Sequence, residues 1–245
     1  MKKALWKTFL GVLPPRWRLP VQFWRYRITR YIEPEMLLVR RWKDRNSIAI
    51  DVGANQGTYS FELSRWFSHV ESFEPNYNIT TELGTYDPAR IRLHGVALSS
   101  ANGRATLHVP LSMDGVQLVG WGTLKPEGAW GSPKFVELTV MRRTLDSYGF
   151  DNVAFIKIDV EGHEEDVLIG SKNTLRRCRP VVLIEVKLAS RPVVARFFSK
   201  LDYELFFLRG GDLHQLTHCA NELEHAHENV FAIPSERAFS PSRIR

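Results

Sequence analysis

A short apolar run that ends in a carboxylate and opens into a glycine loop constrains this chain most. Residues 48–57 read Ile-Ala-Ile-Asp-Val-Gly-Ala-Asn-Gln-Gly. The run predicts a buried strand that carries Asp51 near its carboxyl end. Gly53 and Gly57 allow the backbone to turn tightly and to approach a ligand closely. We therefore expect a small molecule to bind on this loop.

The carboxylate of Asp51 also indicates the charge of that small molecule. A phosphate-binding loop offers bare amides and a helix amino terminus to an anion, whereas Asp51 would repel a pyrophosphate. S-adenosylmethionine carries an ammonium and a sulfonium group. It fits this polarity better than NAD or ATP.

From Ser47 onward, apolar runs alternate with helical patterns, which is typical of an α/β fold with a mostly parallel sheet and helices on both faces. We predict strands at residues 47–52, 70–73, 91–94, 153–158 and 181–186, and helices at 59–66, 78–83, 164–175 and 192–200. Residues 203–208 and 230–233 predict a terminal antiparallel hairpin. With 245 residues, 44% of them hydrophobic, one sizeable domain is the expectation.

The basic charge is concentrated in the first 45 residues, which carry twelve Lys and Arg against three Asp and Glu, while the remaining 200 carry 21 against 24. Four of the seven tryptophans also lie there. This pattern predicts a helical segment at 1–45 ahead of a catalytic domain at 46–245. The segment contacts an anionic membrane, packs on the domain, or does both. No apolar stretch is long enough to span a bilayer, so we expect a cytoplasmic protein, with peripheral contact at the inner membrane left open.

The helical pattern of apolar residues is absent between residues 103 and 140. Two alternating segments, 105–109 and 135–140, predict strands, and the Gly-rich stretch 112–132 lies between them. A long irregular stretch inside a compact domain is usually functional. We interpret the stretch as a flap that binds the acceptor. The alternative is an ordinary extension of the sheet without a binding role.

Several carboxylates follow predicted strands, and ligands bind at the carboxyl ends of such strands. Asp51, Glu74, Asp159 and Glu185 all fall at that edge. A carboxylate after the second strand can accept both ribose hydroxyls of a nucleoside, so Glu74 is predicted to bind ribose. For a single acidic residue, a solvated strand end or a helix cap is the ordinary alternative.

A second dense region, residues 155–165, reads Phe-Ile-Lys-Ile-Asp-Val-Glu-Gly-His-Glu-Glu. An ion pair from Lys157 and acidic residues at a helix amino terminus explain part of it. They explain Asp159, Glu161 and His163 poorly. Charges packed this closely are costly unless they are paired or used, so these three are predicted to be catalytic.

The motifs together resemble the FkbM family of S-adenosylmethionine-dependent methyltransferases. The resemblance is carried by Ile-Asp-Val-Gly-Ala-Asn-Gln-Gly, Phe-Glu-Pro-Asn, Ala97-Leu98-Ser99, Arg-Thr-Leu-Asp at 143–146 and Ile-Lys-Ile-Asp-Val-Glu-Gly-His-Glu at 156–164. It covers residues 47–185 and implies a Rossmann-like class I methyltransferase fold and O-methylation, often of sugars.

The resemblance also implies a role for each motif. Cofactor binding is assigned to the glycine loop, to the ribose-binding turn and to an adenine border, namely Asp51, Gly53, Ala54, Asn55, Gly57, Glu74, Pro75, Ala97, Leu98 and Ser99. Asp159, Glu161 and His163 face the acceptor. Methyl transfer requires alignment and removal of the hydroxyl proton, for which the imidazole of His163 is the first choice and Asp159 or Glu161 the second. His163 as a solvent-exposed loop residue is an open alternative.

A divalent metal held by Asp159, Glu161 and Glu185 is an alternative way to acidify the hydroxyl. The predicted function is O-methylation of a sugar hydroxyl in a surface polysaccharide or a lipid-linked saccharide. Methylation of a secondary metabolite is the alternative within enzymes. A nucleic-acid-binding protein with a basic arm and an NAD-dependent oxidoreductase are the alternatives from other classes, although no nucleic-acid motif accompanies the charge.

Overall fold

Short aliphatic runs form a central sheet in the computed structural model, which describes residues 3–29, 31–125, 134–216 and 229–238. Eight strands lie in the order β10-β9-β11-β8-β7-β1-β2-β3. They are β1 Ile48–Val52, β2 Val70–Phe73, β3 Ile91–His94, β7 Val153–Ile158, β8 Val181–Glu185, β9 Tyr203–Arg209, β10 Asp212–Gln215 and β11 Asn229–Pro234. Strands β3, β2, β1, β7 and β8 pair in parallel, which confirms the predicted α/β class.

The carboxyl-terminal strands run antiparallel to their neighbours. Strand β11 pairs with both β8 and β9, so the two predicted terminal strands do pair with each other. The prediction missed β10, which forms a tight hairpin with β9. Gly210 and Gly211 make this turn at φ values of 62° and 95°. Glycine adopts such left-handed values without a steric cost.

Helices flank the sheet on both faces. They are α1 Lys3–Val12, α2 Pro15–Ile28, α3 Thr58–Ser64, α4 Thr81–Gly84, α5 Glu164–Gly170, α6 Lys172–Cys178 and α7 Arg191–Ser199, with 3₁₀ helices at Pro34–Trp42, Tyr77–Ile79, Val119–Trp121, Leu145–Tyr148 and Leu188–Ser190. The predicted helix at 164–175 is broken at Ser171, whose hydroxyl donates to the Val167 carbonyl at 2.6 Å. The predicted helix at 78–83 is a 3₁₀ turn followed by the short α4.

The alternation of side chains along β1 divides the core into two layers. Ile50 and Val52 pack with α5, α6 and α7 on one face. Ala49 packs with α2 and α3 on the other. Because side chains alternate along a strand, Asp51 shares the face of Ala49. Asp51 is therefore directed towards the layer that the amino-terminal helix covers.

The amino-terminal segment packs on this second face. Leu19 and Phe23 of α2 are fully buried, and the Phe23 ring lies 4.9 Å from that of Phe61 in α3. Trp42 lies 5.2 Å from Phe231 of β11. Packing of α2 and of Trp42 on the domain is thus observed. The division at residues 45 and 46 and any contact with a membrane stay predictions. Within the described residues, no helix is both long and apolar enough to cross a bilayer.

A second, three-stranded sheet interrupts the α/β alternation. Its order is β4-β6-β5, formed by β4 Ala97–Leu98, β5 Gly103–Pro110 and β6 Phe135–Arg143. Strands β5 and β6 are the two strands predicted around the Gly-rich stretch. The stretch itself is described as far as Lys125, and residues 126–133, with Trp130, lie outside the described part of the chain.

Candidate active site

The glycine loop leaves no room for side chains at its two glycines. Gly53 has a φ of 78°, and a Cβ atom there would lie 1.8 Å from the Asp159 carbonyl oxygen. Gly57 has a φ of 85°, and its Cβ atom would lie 2.7 Å from Leu83. Asn55 between them also has a left-handed φ, of 50°. The loop is thus held in one conformation against the ends of β7 and α4.

Glu74, at the end of β2, is fixed by main-chain donors. Its two carboxylate oxygens accept the N–H groups of Asn55 and Asn76 at 3.0 Å and 2.9 Å. Burial raises the pKa of Glu74 to about 7, against the two N–H donors, which favour the ionised form. A carboxylate has about four acceptor positions, so two more hydrogen bonds are available to a diol.

Glu74 lines a cavity of about 50 Å³ beside the glycine loop. We call this the first cavity. Its wall has a polar part, formed by Asn55, Asp159, Glu161 and His163. The apolar part consists of Phe73, Pro75, Ile79, Val96, Ala97, Leu98, Leu107, Leu124 and Val160. The first cavity therefore places apolar side chains beside a carboxylate of fixed position.

Residues 112–125 cover the first cavity. Gly120 and Gly122 line it, and the Thr123 hydroxyl donates to the Glu161 carbonyl at 2.9 Å. Lys125 forms an ion pair with Asp166 at 2.8 Å. The described part of the predicted flap therefore faces the first cavity. Its predicted role in holding the acceptor stays a prediction.

His163 is buried, and its ring nitrogens face other protein groups. Nε2 lies 3.0 Å from the Ser99 hydroxyl. Nδ1 lies 3.4 Å from an Asp166 oxygen, without the alignment of a hydrogen bond. Burial lowers the pKa of His163 to about 4, and the charge of Asp166 opposes this only in part. The imidazole is thus neutral at physiological pH.

Glu161 lies in the turn that follows β7, at a left-handed φ of 54°. A non-glycine residue in this conformation is uncommon and often marks a functional site. Its Oε2 atom is buried and has no hydrogen-bond partner within the described part of the chain. Burial, reinforced by the charge of Asp159, raises the pKa of Glu161 to about 7. Burial and the charges of Asp159 and Glu161 raise that of Glu185 to about 8.

Asp51 lies below the loop and lines neither this cavity nor the one described next. It is fully buried and accepts the Ser60 hydroxyl at 2.5 Å. It faces Lys157 across the β1–β7 register. Lys157 in turn pairs with Asp159 at 2.9 Å. Direct contact between Asp51 and the ammonium of a donor stays a prediction.

A second cavity, of about 240 Å³, lies on the other side of the glycine loop. It shares Gly53, Asn55 and Asp159 with the first. Its remaining wall combines the amino-terminal segment, the rest of the loop, the start of α3 and one residue of β7: Tyr26, Tyr31, Ile32, Glu33, Met36, Ala54, Gln56, Thr58, Tyr59 and Lys157.

The sequence prediction assigned no binding role to the amino-terminal part of this wall. One signal was available, since Gln22 interrupts the buried face of α2 between Leu19 and Phe23. Gln22 donates a hydrogen bond to Gln56 of the glycine loop.

The two cavities bring most of the predicted site residues together. Those that line one or both are Gly53, Ala54, Asn55, Glu74, Pro75, Ala97, Leu98, Asp159, Glu161 and His163. Asp51, Gly57, Ser99 and Glu185 line neither. Among the described residues, Asp51, Asn55, Glu161 and His163 each have a buried side-chain atom without a hydrogen-bond partner. Such atoms are rare in folded proteins, so their concentration here points to a ligand.

The carboxylates Asp159, Glu161 and Glu185 were the alternative metal site. In the described parts of the chain, no group of three or more His, Cys, Asp or Glu side chains is arranged to hold a metal ion. Of the two cysteines, Cys178 is a free thiol, and Cys219 lies outside the described residues.

Two curated proteins are similar in sequence. The 2-O-methyltransferase NoeI of Sinorhizobium fredii is 30% identical over 54% of this chain and 60% of its own length. The hexuronic acid methyltransferase AglP of Haloferax volcanii is 26% identical over 77% of this chain and 80% of its own. The match to the rhizobial protein thus spans less than two thirds of that protein.

A solved structure shows the same fold. The methyltransferase FkbM from Methylobacillus flagellatus superposes with a TM-score of 0.50 at 16% identity, over 93% of this chain and 57% of that one. Residues 51–213 match the profile of the methyltransferase FkbM domain. This match covers well over half of the sequence and confirms the resemblance read from the motifs. The chain therefore belongs to the FkbM family of methyltransferases.

Proposed function

We propose that this protein transfers a methyl group from S-adenosylmethionine to a hydroxyl of a sugar. One observation carries the proposal: a carboxylate fixed by two main-chain N–H groups faces apolar side chains in a cavity beside a glycine loop, and a larger cavity shares three lining residues with it. The names of both curated relatives support methyl transfer, and that of the archaeal relative, AglP, a sugar acceptor.

The residues of the first cavity fit the donor. Glu74 would accept the ribose hydroxyls, and the apolar side chains around Ala97 and Leu98 would hold the base. The buried Oδ1 of Asn55, which lacks a hydrogen-bond partner among the described residues, is a further acceptor for the donor. When bound, the donor supplies an electrophilic methyl group on a sulfonium. The chain's own contribution is to bring the acceptor oxygen in line with that group and to accept its proton.

Glu161 is the proposed proton acceptor. A general base works best when its pKa is near the operating pH, and the pKa of Glu161 is about 7. Asp159 lines both cavities and orients the hydroxyl where they meet. His163, the first choice from the sequence, remains a candidate. Because its Nε2 faces Ser99 and its pKa is about 4, the geometry favours a positioning role for it.

The assay uses S-adenosylmethionine labelled in the methyl group and a panel of 4-nitrophenyl glycosides beside phenolic and nucleic-acid acceptors. We expect label in a glycoside, in a bond that survives alkali, as an ether does. Label only in a phenol or a nucleic acid would overturn the sugar assignment. If calorimetry detects no binding of S-adenosylhomocysteine, the assignment of S-adenosylmethionine as the methyl donor is wrong.

We further propose that the acceptor is a lipid-linked or surface saccharide reached at the inner face of the membrane. The first 32 residues contain eight Lys and Arg and no acidic residue. On α1 and α2 the side chains of Leu5, Phe9, Val12, Trp17 and Trp24 are exposed. A basic surface with exposed aromatic and aliphatic side chains is suited to the interface of an anionic bilayer.

Vesicle sedimentation tests this second step. The protein should bind vesicles that contain phosphatidylserine and not vesicles of phosphatidylcholine alone. Phe9→Ala/Trp17→Ala should reduce that binding about tenfold, because two apolar anchors are lost. Val193→Ala, which removes an exposed side chain from α7, serves as the control. Equal binding of both variants would leave α1 and α2 with a packing role only.

A further inference from the structure

Five residues of the amino-terminal segment line the second cavity: Tyr26, Tyr31, Ile32, Glu33 and Met36. They lie outside the family match, which begins at residue 51. The opposite wall, formed by the glycine loop and the end of β7, lies inside it. The boundary with the first cavity is formed by Gly53, Asn55 and Asp159. An acceptor in the second cavity would thus lie next to the donor on the other side of these three residues.

The amino-terminal wall is attached to the loop by specific contacts. Gln22 donates to the Gln56 side chain, and the Tyr26 hydroxyl lies 3.5 Å from the same oxygen. The Tyr59 hydroxyl donates to Glu33 at 2.6 Å. These side chains fix the wall at a set distance from the loop, so the width of the cavity is determined by the amino-terminal segment.

The lining has the chemistry of a sugar site. Tyr26, Tyr31 and Tyr59 provide aromatic surface, and the rings of Tyr26 and Tyr31 lie 6.3 Å apart. Tyr31 is 82% exposed, which makes its ring available for stacking. Within the described part of the chain, both hydrogen bonds to Glu33 end on Oε2, from Tyr59 and Asn229, so Oε1 can accept from a hydroxyl. Aromatic faces pack on the C–H face of a pyranose, and carboxylates accept from its hydroxyls.

The charge of the lining distinguishes between sugar classes. Among the described lining residues Lys157 is the one cation, and it already pairs with Asp159 at 2.9 Å and lies 4.9 Å from the Tyr59 ring centre. Glu33 adds a second carboxylate. A hexuronate in this cavity would bring a further carboxylate next to these two, which is unfavourable in a partly desolvated site.

We propose that Tyr26, Tyr31, Ile32, Glu33 and Met36 form the acceptor subsite of this enzyme and that this subsite takes an uncharged sugar ring stacked on Tyr31, with a hydroxyl on Glu33. The inference rests on the proposed sugar O-methylation. It also assigns to the amino-terminal segment the choice of acceptor, whereas the family-matched domain binds the donor.

The experiment compares 4-nitrophenyl glycosides of neutral hexoses and 6-deoxyhexoses with the corresponding hexuronides. For the wild type, kcat/KM should be at least about tenfold higher with the best neutral glycoside than with the hexuronides, as expected for one unfavourable charge contact. Glu33→Gln retains an acceptor for Tyr59 and Asn229. It should lower the ratio of kcat/KM for the neutral glycoside to kcat/KM for the hexuronides. A wild-type preference for a hexuronide would overturn the inference and leave sugar methylation intact.

Tyr31→Ala separates an acceptor subsite from a donor subsite. The KM for the neutral glycoside should rise about tenfold, as expected for loss of a stacked ring, and the Kd of S-adenosylhomocysteine should stay within about twofold. Ile28→Ala, three residues earlier and also exposed, should change neither the KM for the glycoside nor the Kd of S-adenosylhomocysteine. A weaker Kd for S-adenosylhomocysteine with an unchanged acceptor KM would assign the cavity to the donor. Methylation of a phenol without methylation of any glycoside would instead overturn the proposed function as well.

Discussion

The two cavities of this molecule are built in different ways. In the first, the position of Glu74 is set by two main-chain N–H groups and that of the loop by glycines that no other residue can replace without strain. In the second, the wall is set by side-chain contacts between segments about 30 residues apart, such as Gln22 with Gln56. The comparison shows that main-chain geometry fixes the proposed donor side, whereas exchangeable side chains define the proposed acceptor side.

Glu161, near the boundary of the two sides, should give the largest effect. Glu161→Gln should lower kcat about a hundredfold to ten-thousandfold, because the amide cannot accept the hydroxyl proton. The variant should bind S-adenosylhomocysteine as the wild type does. Single-turnover kinetics at saturating donor and acceptor measure the loss.

The pH dependence of kcat identifies the base independently. Only the ionised carboxylate accepts a proton, so wild-type kcat should fall as the pH drops through about 7, the pKa of Glu161. Glu161→Gln should lack this limb. The pKa of His163 is about 4. A fall of wild-type kcat near pH 4 instead, together with a larger loss of kcat in His163→Ala than in Glu161→Gln, would assign the base to His163.

Phe23 tests whether the amino-terminal wall is an integral part of the fold. Its ring is fully buried and contacts Phe61. Phe23→Ala should reduce the free energy of unfolding by about 3–5 kcal/mol, as large truncations in a core do. Urea denaturation measures the change, with Ile28→Ala as the exposed control.

The milder Phe23→Leu retains an apolar side chain and leaves a smaller cavity than Phe23→Ala, so the protein should stay folded for activity measurements. It should raise the acceptor KM more than the Kd of S-adenosylhomocysteine. Equal changes in both constants would contradict a division of labour between the two sides.

Glu74 affects the donor side alone. Glu74→Gln should weaken S-adenosylhomocysteine about tenfold to a hundredfold, the usual cost of losing hydrogen bonds to a charged group. The ribose hydroxyls favour the ionised form of a carboxyl whose pKa burial raises to about 7. Wild-type affinity should therefore rise from pH 6 to pH 8, and the variant should show no such slope. Calorimetry of Glu137→Gln, on the exposed side of β6, provides the control.

Much of the donor side could be predicted from the sequence. The strands follow from short aliphatic runs, and the placement of Glu74 follows from the rule that ligands bind at the carboxyl ends of parallel strands. Asp51 was placed correctly at the strand end. Its side chain, however, points to the face of Ala49, where Ser60 and Lys157 surround it. Local patterns give the position of a residue more reliably than the partners of its side chain.

The acceptor side could not be predicted, because its contacts join distant segments. Nothing in the local pattern around Tyr31 or Glu33 indicates that they face the glycine loop. The break between α5 and α6 was missed for a similar reason. Gly170 approaches the Ser99 carbonyl so closely that a Cβ atom there would lie 2.1 Å from it, and Ser171 bends the helix at this contact. Tertiary contact overrides helical periodicity at such a point.

Glu185 should give the smallest effect and links the two sides through charge. Its folded pKa of about 8 exceeds the ordinary value of 4.5, so its contribution to stability is fully present below about pH 4.5 and is lost as the pH rises through 8. Glu185→Gln carries no ionisable carboxyl and so removes this loss of stability at high pH. Its melting temperature should exceed that of the wild type by about 2–4 °C at pH 9 and by little at pH 5. The same substitution removes a negative charge near Glu161, so the acid limb of kcat should move to lower pH. A limb that stays in place while the melting temperature rises would show that the carboxylate of Glu185 acts on folding and not on the proposed base.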